Sequence, residues 1–239
     1  MRTYLITLFF ALALVACGGG GGDSSSTTAP TLNANAAFST LLTSGSTATG
    51  TLTGSCSGSS IVTNSPSYLS KNYDGISALI VEYKRVDSLS AASLTQAACA
   101  AIFSSNGQIQ KAFYSPTTYL IMNEGGSTKG KVISGQQALP TSATAGTNGT
   151  LLSYLDYQGG ATAVTSGTLT YAVAADSAST LLVTAIEDVT VASSGAPYYR
   201  VTTTYRLNAN NTLTELSVKY ETFAALGLGS GTVTTFTVN

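Results

Sequence analysis

Residues 199–221 read YRVTTTYRLNANNTLTELSVKYE, and the alternation in this stretch decides the fold. Tyr199, Val201, Thr203, Tyr205 and Leu207 take every second position, with Arg200, Thr202, Thr204 and Arg206 between them. Side chains alternate across a strand, so such a segment has one buried face and one wet face. After the turn formers of 208–211 the phase resumes, placing Leu216, Val218 and Tyr220 inward and Glu215, Ser217, Lys219 and Glu221 outward. The stretch is expected to be a β-hairpin.

Working outward, further strands are expected at 151–158, 168–175, 180–191 and 232–238, separated by turn signals at about 8 to 12 residue spacing. In the N-terminal half, 49–56, 61–63, 75–86, 108–114, 118–123 and 129–134 read as strands, with Leu79, Ile80 and Val81 buried on both faces. A helix is expected at about 91–103, capped by Ser88 or Ser90, and 32–44 reads as a weaker helical or docking segment. The sum is a mainly β chain, an antiparallel meander forming a curved or barrel-like sheet with one short helix. The Pro/Gly/Thr-rich connection at 136–149 is either a joint between two units or a loop within one sheet.

The chain has 239 residues, carries only 9% charged residues and has a formal net charge of −1. That leaves no field to attract nucleic acid, so no nucleic-acid partner is expected. Histidine is absent. Without imidazole there is no Ser-His-Asp or Cys-His machinery and no histidine zinc site. Neither an aspartate-rich calcium loop nor an S-x-x-K dyad is present. Catalysis, a metal and a cofactor are therefore not expected.

At the N-terminus, Arg2 precedes an uncharged apolar run from Tyr4 to Leu14, and then comes Leu14-Val15-Ala16-Cys17 before five glycines. The layout is that of an export signal, too short for a permanent span of about 20 residues. These four residues resemble the lipobox of bacterial lipoproteins. The resemblance implies removal of 1–16 and acylation of Cys17, with a membrane as partner through the lipid. Acyl chains bury at about 0.8 kcal/mol per methylene, and several together hold a protein at a bilayer surface. Gly18 in place of an aspartate favours the outer membrane over retention at the inner one. Residues 17–31 form the lipidated cysteine and a Gly/Ser tether spanning roughly 20 Å, and 32–239 form the β-rich envelope domain.

In an oxidising compartment the remaining cysteines, Cys56 and Cys99, are expected to pair. Gly54-Ser55-Cys56-Ser57-Gly58 has the outline of a nucleophile elbow, but no base exists to activate it. Glu187 and Asp188 are adjacent on a strand and point to opposite faces, so they cannot form one carboxylate pair, with or without Asp156 or Glu124. Tyr154, Tyr157, Tyr171, Tyr199, Tyr205 and Tyr220 fall in one region. They are either a binding surface, for which tyrosine suits by area and hydroxyl, or ordinary sheet-face packing. The expected role is a non-catalytic binding or structural protein displayed at the outer membrane. The alternative is a periplasmic half-barrel carrier or chaperone for an apolar, lipid-like ligand, similar to the half-barrel lipoprotein-sorting proteins, with the helix of 91–103 lying against a concave sheet.

Overall fold

A computed structural model of the chain describes residues 29–72, 75–104, 106–122, 131–158, 160–223 and 231–239. Among the described residues three helices and twelve strands follow one another as α1 (Ala34–Ser44), β1 (Ser46–Gly54), β2 (Gly58–Asn64), β3 (Tyr68–Lys71), β4 (Ser77–Leu89), α2 (Ala91–Leu94), α3 (Ala97–Ile102), β5 (Ile109–Tyr114), β6 (Lys131–Ser134), β7 (Asn148–Asp156), β8 (Thr165–Ala175), β9 (Leu181–Val191), β10 (Pro197–Leu207), β11 (Leu213–Thr222) and β12 (Val233–Val238). All twelve strands belong to one antiparallel sheet. The expected mainly β meander is what the chain forms.

From β12 back to β6 the sheet is a plain up-and-down run, and β1 pairs with β12 to join the N-terminal strands to it. Tyr83 and Lys84 pair with β2 and with β5, while Leu79 and Ile80 pair with β3 and with β5. A strand has only two edges, so β2 and β3 lie end to end along one edge of β4 and β5 holds the other.

The end strands β5 and β6 are not paired with each other among the described residues, β3 pairs there with β4 alone, and the sheet stays open. It is nevertheless strongly curled: Tyr114 of β5 lines the same cavity as Leu152 of β7 and Leu169 of β8, from the far side of the sheet. One loop spans the seam. Ile121 bridges to Tyr114 on one side, and its carbonyl accepts a hydrogen bond from the Gln136 side chain beyond β6 on the other.

Curling follows from the sequence in two ways. The inward faces carry large side chains (Leu52, Phe236, Val218, Val201, Val183 and their neighbours, all buried) and the outward faces carry mostly Thr and Ser. In addition, single-residue bulges at Leu151, Tyr198 and Leu216 add length and twist to one strand of a pair. Close packing inside uses glycine: Gly167 pairs with Tyr154, and a Cβ on Gly167 would lie 2.1 Å from the Tyr154 ring. The tyrosine ring fills the place a side chain would take.

The helices depart from expectation. α1 is the longest, because Asn33 caps it by accepting from the Ala36 amide and Gly45 ends it at φ +69°. It lies across the inside of the curl, with Ala34, Ala37 and Leu42 buried and Phe38 edge-on to the Tyr114 ring. The 91–103 helix is broken in two at Thr95–Gln96, and its pieces are held by the Ser90 cap and by the Cys56–Cys99 disulfide. The expected strand at 118–123 is a loop with a single bridge: the Ser115 hydroxyl accepts from the amides of Thr117 and Thr118, and Tyr119 takes φ +56°. Residues 136–149 join β6 to β7 within the sheet and bury Leu139 and Ala143 in the main core. The lipobox, most of the tether, Asn123 and Glu124 lie outside the described residues.

Candidate functional site

The interior of the curl is not purely apolar, and the bulge at Leu216 is the reason at its most informative point. Ser217 pairs with Thr204, and the next pair is Glu215 with Tyr205. The extra residue reverses the phase, so Glu215 faces inward beside Tyr205, whereas strict alternation puts it in solvent. The Tyr205 hydroxyl donates to Glu215 Oε2 at 3.2 Å, and Oε1 is buried without a hydrogen-bond partner among the described residues. Burial pushes this carboxyl from its ordinary 4.5 up to about 7, with only the Tyr205 hydrogen bond pulling against it.

Glu215 opens onto a cavity of about 190 Å³ between the C-terminal end of α1 and strands β1, β2, β11 and β12. Leu41, Ala48, Val62, Leu213 and Val238 supply its apolar wall, and Asn64, Ser46 and Thr214 its neutral polar groups. A second, smaller cavity of about 50 Å³ is walled by Phe38, Leu139, Leu152 and Leu169. Tyr205 and Leu213 line both.

Two further polar clusters sit inside. Arg85 and Asp87 are two apart on β4, on the face that also carries Tyr83 and Leu89, and pair at 2.9 Å. The Arg85 guanidinium also donates to Tyr220 Oη at 2.8 Å and to the Ile102 carbonyl at 3.1 Å, and stacks 4.5 Å over the Phe103 ring. Burial opposes its charge, but Tyr220, Tyr83 and Asp87 push it up, so it stays protonated. In the other cluster Glu187 accepts from Tyr154 Oη at 2.6 Å and has Lys131 at 3.9 Å. Burial raises the Glu187 carboxyl, against the pull of Lys131 and Tyr154.

Three interior carboxyls thus each keep one buried oxygen unpartnered among the described residues: Asp87 Oδ1, Glu187 Oε2 and, on a half-buried side chain, Glu215 Oε1. Asp87 has an arginine and Glu187 a lysine. Among the described residues no lysine or arginine lines the Glu215 cavity.

Of the residues singled out in the sequence, Cys56 and Cys99 form the disulfide, with Cα atoms 5.7 Å apart. Tyr154, Tyr199, Tyr205 and Tyr220 are buried inside the curl, and Tyr157 and Tyr171 are half-buried, so the six do not make an outward-facing patch. Of the six, Tyr205 lines the two cavities described above. Glu187 points inward, while Asp188 is outside, bound to Arg200 at 2.6 Å. Among the described residues no group of His, Cys, Asp and Glu is placed to hold a metal ion. Nor is any helix there long and apolar enough to cross a membrane.

Sequence reasoning missed Arg85, Asp87, Lys131 and Glu215. The first two carried a signal, since opposite charges two apart fall in the phase of Leu79, Val81, Tyr83 and Leu89. Glu215 carried none. No protein-family model, curated protein or solved structure matches this chain, so the site is read from its own geometry.

A pH-dependent cost follows from the raised Glu215 carboxyl. Between about 4.5 and about 7 the unfolded chain releases this proton and the folded one retains it, so stability falls as pH rises through that window and is level above it. Glu215→Gln removes the slope. The variant is expected to match the wild type in denaturant melts at pH 4 and to exceed it by about 3 kcal/mol at pH 8. Equal stability at both pH values would show that Glu215 titrates normally.

Proposed function

We propose that this chain is a lipid-anchored cell-envelope protein, held at the outer membrane through acylated Cys17, whose β domain works without catalysis, as a binding or structural body. The observation that carries the reading is Leu14-Val15-Ala16-Cys17 followed by Gly18, at the end of a short apolar run and before a Gly/Ser stretch. The oxidised Cys56–Cys99 pair is in keeping with an exported chain. The inward-facing tyrosines, arginine and carboxyls are in keeping with a body that binds or supports.

A carrier for whole lipid-like ligands has less support. Ligand pockets for molecules of that size run from about 300 Å³ upward. The cavities described above hold about 50 and about 190 Å³, each below that range.

The test is fractionation of cells expressing the wild type and Cys17→Ser, with palmitate labelling. The wild type is expected to take up label and sediment with membranes. The variant is expected to carry no label and to retain less than about a tenth of the membrane-bound fraction, since the acyl chains supply the attachment. An unchanged sedimenting fraction in the variant would sink the proposal.

A further inference from the structure

We propose that the cavity of about 190 Å³ at Glu215 is a binding site for a small organic cation, a primary ammonium on an apolar body of about benzyl size, with the ammonium on Glu215 and the body against Leu41, Val62, Leu213 and Val238. The inference deepens the binding part of the reading above and is independent of the anchoring part, so a soluble Cys17→Ser protein keeps this site.

The argument rests on what the cavity offers and what it lacks. Its one carboxyl is held by a single hydrogen bond, from the Tyr205 hydroxyl, and no lysine or arginine among the described residues lines the cavity. The other two buried carboxyls of the interior have a cation supplied by the chain; this one has none along its walls. A ligand that brings a positive charge completes the same arrangement. An inorganic divalent ion is a poor fit, since calcium takes six to eight oxygen ligands and much of this wall is aliphatic. The size suits an organic body: an apolar cavity of about 150 Å³ holds benzene. Thr47 and Thr214 line the cavity and are exposed, which places its mouth there.

The charge on Glu215 makes the binding pH-dependent. The titratable groups around it are Tyr205 on β10, Tyr83 on β4 and Tyr220 on β11. Burial pushes all three hydroxyls up, so they stay neutral while Glu215 titrates. The cation requires the ionised carboxylate. Affinity therefore rises with pH to a plateau above about 7.

The experiment titrates purified full-length protein with benzylamine and with its neutral counterpart benzyl alcohol, by calorimetry at pH 8 and pH 5.5. Benzylamine is expected to bind at least about 10-fold more tightly than benzyl alcohol at pH 8, and about 30-fold more weakly at pH 5.5 than at pH 8. Glu215→Gln is expected to erase the preference for the amine. Ala48→Leu, which fills the cavity from β1, is expected to weaken both probes with Glu215 intact. Saturable binding of neither probe, equal binding of both, or a preference that survives Glu215→Gln would overturn the proposal.

Discussion

Arg85→Met is expected to destabilise the domain by about 3–5 kcal/mol, the usual cost of removing one partner of a buried ion pair. The methionine fills much of the volume, so the loss is electrostatic. Asp87 already has Oδ1 without a partner among the described residues, and removing the guanidinium strands Oδ2 as well. Tyr220 Oη and the Ile102 carbonyl each lose a donor in the same step. Replacing both charges, Arg85→Met with Asp87→Leu, is expected to return the protein to within about 1 kcal/mol of the wild type, because an apolar pair avoids the desolvation of two ions. Denaturant midpoints of the two single variants and the double measure the coupling directly. A single-variant cost below about 1 kcal/mol, or a double variant that shows the sum of the single losses, would remove the pair from the architecture argued above.

Loss of the disulfide is expected to be of similar size. Cys56 and Cys99 are 43 residues apart, and the chain-entropy relation gives about 4 kcal/mol for a loop of that length. Cys56→Ala with Cys99→Ala should lower the urea midpoint accordingly, while reduction of the wild type should match the double variant. The two effects are linked through α3. Cys99 ties this helix to the β1–β2 turn, and three residues on, the Ile102 carbonyl accepts from Arg85. A triple variant combining Arg85→Met with loss of the disulfide is therefore expected to lose less than the sum, since α3 is already released.

The strands were legible because their periods were. Every second residue from Tyr199 to Leu207 is buried as the alternation requires, and the long strand at β4 buries Ile80 and Val81 on opposite faces as its apolar run implied. The cysteine pair was legible from count and compartment. What was not legible depends on contacts between distant segments. α1 is Ala- and Thr-rich with little intrinsic drive, and its order comes from lying inside a curl formed by strands more than a hundred residues away. The bulge at Leu216 has no sequence marker, yet it moves Glu215 from water to a cavity. The tyrosines read equally well as a surface or as packing, and their register with the inward faces of β7, β10 and β11 decides in favour of packing for four of them.

The unsealed line between β5 and β6 also bears on how copies of this protein meet. Exposed strand rims invite a neighbouring chain to continue the ladder, and the curl of this sheet brings the β5 and β6 rims toward one another. Ile121, fastened to one rim by its bridge to Tyr114 and to the other by Gln136, occupies the slot an intruding strand would need. A loop of a few residues thereby does along this one line part of what full closure does for a barrel: it ties two rims to each other.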